Sequence, residues 1–178
     1  MDLRTERTRR SISNAYIELR KQKSIEKITV KELAELAFIN KATFYTHYHD
    51  IYDLADQLED EFMNSIIQEM PHPESIITDP ALATKELADM LIAKNDIVNI
   101  LFSGSRHSLL SEKIYAALMN YIMSNYPNEE HSLQKSIVLS IIIQGCFHAY
   151  QMFANDENRD EVTAILGEVG TCLKTNFL

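Results

Sequence analysis

The sequence predicts an all-α protein, and three observations carry that prediction. Glycine and proline number four each in 178 residues, too few for the frequent turns of a β-rich chain. Leu, Ile, Ala, Glu and Lys are abundant. Apolar residues recur at three- and four-residue spacing, while the strict alternation of a half-buried strand is scarce. At 46% hydrophobic composition the chain is globular, long enough for one domain with a real core or for a small module attached to a larger one.

The elements follow in order. In the first helix Ile12, Ala15, Tyr16 and Leu19 share one stripe, and Arg4, Arg7 and Arg10 form a basic edge at its start. "SIEKI" connects it to a short second helix, where Thr29 and Glu32 make a capping box and Val30, Leu33, Ala34 and Ala37 form the apolar side. "FIN" makes a turn, and Asn40 caps a third helix that is expected to end near Tyr48. Asp50 caps a fourth, with Ile51, Leu54, Ala55, Leu58 and Phe62 inward. Pro71 and Pro73 stop it, and Asp79 with Pro80 at the first helical position starts a fifth. Asp96 caps a short helix closed at Gly104, and Ile114, Leu118, Tyr121 and Ile122 mark the next, up to Pro127. Two long apolar helices, about 132–153 and 159–176, complete the chain. No repeat or low-complexity tract interrupts this order.

Charge is unevenly divided. Residues 1–50 carry ten Lys and Arg against seven Asp and Glu, a net +3. The other 128 carry seven against nineteen, a net −12, which leaves −9 for the whole chain. A basic head on an acidic body is what a nucleic-acid reader shows, although ordinary surface variation produces the same split. The helix order decides more. Two short helices joined by a tight turn, the second poor in core residues and rich in aromatic and hydrogen-bonding groups, suit a helix-turn-helix that reads the DNA major groove. Lys41 can reach a guanine edge or a phosphate, Thr43 offers a hydroxyl and a methyl to bases, and Tyr45 and His47 can bond phosphate oxygens. The helix start at Thr29 presents free backbone N–H groups to an anion.

The segment "ITVKELAELAFINKATFYTHY", Ile28–Tyr48, resembles the DNA-binding motif of TetR-type transcriptional regulators, with "TFY" at its centre followed by His47 and the aromatic Tyr48. The likeness is close over the first third of the chain and extends to the remainder only by length and helical pattern. It implies a three-helix DNA-binding head, residues 1–50, and a helical body, 51–178, that dimerises and houses a small-molecule effector. Lys41, Tyr45 and His47 match positions that commonly meet DNA in that family, and the full set of candidate DNA-binding residues is Thr29, Asn40, Lys41, Thr43, Phe44, Tyr45, His47 and Tyr48. Three positions depart from the family pattern: Phe38 and Ala42 stand where glycine is common, and Ile51 where a lysine is frequent.

The last two helices are more apolar than a peripheral pair requires, and Gly145, Gly167 and Gly170 permit close approach of neighbouring backbones. Paired across a two-fold axis they would make a four-helix homodimer interface; the alternative is a monomer that buries them internally. Phe102, Tyr115, Met119, Gln144, Phe147 and His148 are candidate effector-pocket residues, because Gln144 and His148 share a helical face in apolar surroundings; plain core filling is the competing reading. Cys146 and Cys172 fit as small core hydrophobes rather than a redox pair.

Catalysis finds no support: the chain has no glycine-rich phosphate loop and no nucleophile elbow. His47 and His49 point to different faces of a helix, and His107, His131 and His148 stand apart in sequence, so no metal or cofactor is expected. The N-terminus carries no secretory pattern, and "SIVLSIIIQGCF" is interrupted by Ser140 and Gln144 and too short to span a bilayer, which suggests a cytoplasmic protein. The functional expectation is a ligand-responsive repressor that binds a palindromic double-stranded operator as a homodimer. The alternative is a helix-turn-helix-derived co-regulator that binds another protein, a reading supported by Phe38, Ala42 and Ile51.

Overall fold

The computed structural model describes residues 3–126, 132–155 and 157–177. Among these the backbone forms α-helices and two 3-10 turns, with no strand, so the all-α expectation holds. The order is α1 (Leu3–Arg20), a 3-10 turn (Ile25–Lys27), α2 (Val30–Leu36), α3 (Lys41–Tyr45), α4 (Ile51–Glu69), α5 (Ser75–Thr78), α6 (Pro80–Ala93), α7 (Asn95–Leu101), a 3-10 turn (Gly104–Leu109), α8 (Leu110–Asn125), α9 (Leu133–Phe153) and α10 (Arg159–Phe177). Pro127, which was to close α8, and His131 lie outside the described residues. The chain divides into two compact units, Met1–Glu61 with Asp96–Ser108, and Phe62–Asn95 with Leu109–Leu178. The first unit therefore runs past residue 50 and takes in a segment from the middle of the chain.

In the first unit the stripe read from the sequence is the buried face of α1: Ile12, Ala15, Tyr16 and Leu19 are all inside. Leu33, Ala34, Phe44, Tyr48, Ile51, Leu54 and Ala55 join them in the core. Ile51 is a core residue here, which explains an apolar side chain at the start of α4. Asp50 caps that helix by accepting the Tyr52 and Asp53 N–H groups, each at 2.8 Å, while Asp53 accepts from the His49 N–H at 2.7 Å.

The third helix is shorter than its sequence suggests. It ends at Tyr45 because the Thr46 N–H is shared between the Ala42 and Thr43 carbonyls, both at 3.2 Å, and the Thr46 hydroxyl also donates to the Thr43 carbonyl. The His47 N–H then bonds the Phe44 carbonyl at the tighter three-residue span, and the Tyr48 N–H closes on the same Phe44 carbonyl at 3.0 Å, so the turn ends there.

In the second unit α10 packs on α6 and on α9, and α9 on α8. Asp79 caps α6 through the Leu82 N–H, with Pro80 at its first position, as the sequence implies. Gly167 lets α10 lie against α6: a β-carbon there would come within 2.6 Å of Ala81 Cα. Val138, Ile142, Cys146 and Leu166 form a buried cluster flanked by Ala149, Tyr150, Val162 and Leu173. Cys146 is a core residue, its thiol pushed up in pKa by burial, whereas Cys172 is exposed, against expectation, because it sits on the outward face of α10.

Candidate nucleic-acid interface

The α2–turn–α3 unit is built by a succession of local bonds. The Thr29 hydroxyl accepts the Glu32 N–H at 3.3 Å and opens α2. At the other end Ala37 is the cap residue, Phe38 donates its N–H to the Glu35 carbonyl, and Ile39 donates to the Ala34 carbonyl at 3.0 Å. That pair of bonds is a Schellman closure, which requires its penultimate residue to be left-handed; Phe38 takes φ 57°, a conformation that suits glycine and costs a bulky residue about 1 kcal/mol. The Ser11 hydroxyl on α1 donates to the Ala37 carbonyl at 2.9 Å and so ties the end of α2 to the first helix. Asn40 then opens α3, its side-chain oxygen accepting the Thr43 N–H at 2.7 Å and the Thr43 hydroxyl at 3.0 Å.

The eight residues expected at DNA fall into two groups. Thr29, Asn40, Lys41 and Tyr45 are exposed, and Thr43 and His47 are half-buried. Tyr45 stands with its ring edge-on to Phe44 at 5.5 Å and 56% of its surface free. Phe44 and Tyr48, by contrast, are in the core and do not face outward. Their rings lie 5.7 Å apart, and the Arg9 guanidinium sits 5.6 Å above Tyr48 while bonding Glu61 at 2.8 Å. They hold α3 in place; the exposed four, with Thr43 and His47, form the surface. Burial raises the Tyr48 pKa, consistent with a packed hydroxyl rather than one poised to contact solvent.

A buried polar cluster fixes the rest of this unit, and nothing in the sequence pattern pointed to it. Arg106 bonds Glu59 through Nε at 2.8 Å and through its terminal nitrogen at 2.5 Å, and bonds Asp56 at 2.5 Å. The Glu59 side chain is 0% exposed. Burial alone would lower the Arg106 pKa, but the bonds to Glu59 and Asp56 outweigh it and leave it raised. Arg20 donates to the Ser103 hydroxyl at 2.7 Å and to the Ser103 and Leu101 carbonyls, and Ser105 donates to Glu26. That last bond holds the Glu26 carboxyl well down, at about 2. Tyr16 is pushed up to about 12 by burial, opposed by the nearby Arg20 charge; no hydrogen bond of ordinary geometry reaches its hydroxyl, nor the Arg20 Nε.

The pocket residues inferred from sequence are placed differently from one another. Phe102 is buried within the first unit. In the second unit Tyr115, Met119 and Phe147 are half-buried, and Gln144 and His148 are exposed, with Gln144 donating to the Ser140 hydroxyl one turn back at 3.2 Å. The premise of two polar groups enclosed in apolar surroundings is thereby corrected: both lie on the outward face of α9. That face also bears Ile137, Ile141 and Met152, and α10 exposes Ile165 and Val169. Gly145 lies on it too, with open space where a β-carbon would stand.

The fold is similar to that of the crystal structure of the TetR family repressor AlkX from Dietzia sp. strain DQ12-45-1b, which is implicated in biodegradation of n-alkanes. The TM-score is 0.58 at 20% sequence identity, and the match covers 94% of this chain and 98% of that one. No protein-family model matches the sequence. No curated protein matches it either.

Proposed function

We propose that this chain is a transcriptional regulator that binds double-stranded DNA as a homodimer and represses from a palindromic operator. One observation carries the reading: a second helix of the helix-turn-helix whose exposed side is Lys41, Tyr45 and the Asn40–Thr43 cap, mounted on a core by Phe44 and Tyr48. Lys41 is assigned to a base edge or phosphate at the groove floor, Thr43 to a base, Tyr45 and His47 to phosphate oxygens, and Thr29 to the backbone at the start of α2. The likeness to the AlkX repressor supports the fold on which this rests.

The homodimer is assigned to the outward face of α9 and α10. Ile137 and Ile141 lie one turn apart on α9, Ile165 and Val169 one turn apart on α10, and the open Gly145 lets a facing helix come close. Gly167, and Gly170 beside Pro80, are occupied within the chain, so only Gly145 of the three glycines is left for a partner. Among the described residues α9 also has the length and apolar composition of a membrane span, but Gln144 and His148 sit in the middle of its outward face, which favours a protein partner over lipid. A small-molecule effector would act by preferring one spacing of the two heads. On this arrangement Gln144 and His148 belong to the subunit interface, and Tyr115, Met119 and Phe147 are left as the candidates to line an effector site.

The test is selection of bound duplexes from a random-sequence library by the full chain, followed by gel shift of the enriched sequence. The expected product is a two-fold symmetric motif with half-sites about one helical turn, ~10 bp, or a somewhat longer interval apart. Recovery of no motif, together with capture of a specific protein, would instead favour the co-regulator.

A further inference from the structure

We infer that Phe38 is a DNA-contacting residue that reads a thymine methyl at the edge of each half-site. The inference rests on the DNA-binding function proposed above. Phe38 is the one non-glycine residue with positive φ among the described residues, and at 94% exposure its ring touches almost nothing of its own chain. Both features oppose stability: glycine would relieve the backbone, and a smaller or polar side chain would spare the exposed apolar surface. The fold needs the left-handed backbone but not the phenyl ring, so a strained aromatic kept at this surface position marks a residue held for contact with something else.

Position then selects the occupant. Phe38 lies two residues before the Asn40 cap and three before Lys41, so no more than about 10 Å of chain separates it from the helix end whose first residues reach base edges in this kind of motif. The neighbouring carboxylate, Glu35, faces Lys31 at 4.0 Å, and the first fifty residues are net positive, which suits an approach to phosphate. A protein partner would need far more than this site offers. Leu36 and Phe38 are two side chains, whereas a stable interface buries roughly 800 Å² on each side. A single projecting phenyl ring is enough for the C5-methyl of thymine, the apolar mark of the major groove.

The test uses the full chain and the duplex enriched by selection. Each thymidine is replaced singly by deoxyuridine, which removes the methyl and leaves base pairing intact. Wild type is expected to lose about four-fold in affinity at one position of each half-site, the worth of one buried methyl group. Phe38→Gly and Phe38→Asn, both compatible with left-handed backbone, should bind the unmodified duplex about sixteen-fold more weakly, because both protomers lose their methyl contact, and show no further loss at that position. Phe38→Gly should also melt higher, by about 2–4 °C, because the strain is gone. The inference is overturned if the glycine and asparagine variants bind as tightly as wild type, or if they keep the same deoxyuridine sensitivity. Failure of the selection itself would overturn the DNA-binding reading and this inference with it, whereas a recovered motif with indifferent Phe38 variants overturns this inference alone.

Discussion

Tyr16 shows how a single buried group can report on the head. Its hydroxyl lies in the core with no hydrogen bond of ordinary geometry, and burial raises its pKa to about 12 from the ordinary 10. The folded form thus keeps a proton that the unfolded chain loses first. For an acid with a raised pKa, stability is unaffected below pH 10 and falls as pH climbs from 10 toward 12, by about 3 kcal/mol over that window. Denaturant titrations at pH 9 and pH 11 should show wild type losing about 1 kcal/mol more over that interval than Tyr16→Phe, whose ring packs alike and cannot ionise. Lys41 tests the outer surface. If it reads a base, Lys41→Ala should weaken binding to the selected duplex by about 1–3 kcal/mol and leave random DNA nearly unaffected. Equal losses on both would reassign Lys41 to phosphate, and Tyr45→Phe should give such a uniform, smaller loss.

The helices of the α2–turn–α3 unit are too short to persist alone. Five residues in α3 and seven in α2 cannot offset helix nucleation, so caps and packing hold them. Asn40→Ala should therefore destabilise the head by about 1 kcal/mol, as read by a shift in denaturant midpoint at unchanged slope. The buried Arg106 ties the 96–108 segment to α4, and removing it takes from the buried Glu59 carboxylate the cation that bonds it twice. Arg106→Met should cost about 3–5 kcal/mol, and Arg106→Met with Glu59→Leu should recover most of it. The caps were legible in the sequence because Thr29, Asn40, Asp50 and Asp79 each bond an N–H two or three residues ahead, a purely local interaction. Where α3 ends was not, because Thr46 competes with the helix by its own side-chain bond. The Arg106–Glu59 pair was not legible either: forty-seven residues separate its members, and no periodicity marks a long-range ion pair. Phe38 stood out in the sequence as an odd residue at a glycine position, but its exposure and backbone angle required the fold.

At the scale of the whole molecule, hydrophobic periodicity reported that α9 and α10 are apolar but not which of their faces is covered by the chain itself. Val138, Ile142 and Cys146 turn inward, whereas Ile137 and Ile141 turn out, and contacts made within the fold separate the two sets. The same ambiguity placed Gln144 and His148 inside a pocket. Ile141→Asp puts a charge in the middle of the proposed subunit interface, so sedimentation should show wild type as a dimer at micromolar concentration and the variant as a folded monomer with unchanged helical content. The central claim, a two-fold dimer that reads duplex DNA through α3, is tested most directly by measuring how many chains bind one selected palindromic duplex, and how that affinity depends on salt. The account predicts two chains per duplex, with an affinity that falls linearly in log–log form as phosphate counterions are released. A single chain per duplex, or binding to the selected sequence no tighter than to random DNA at every salt concentration, would contradict it.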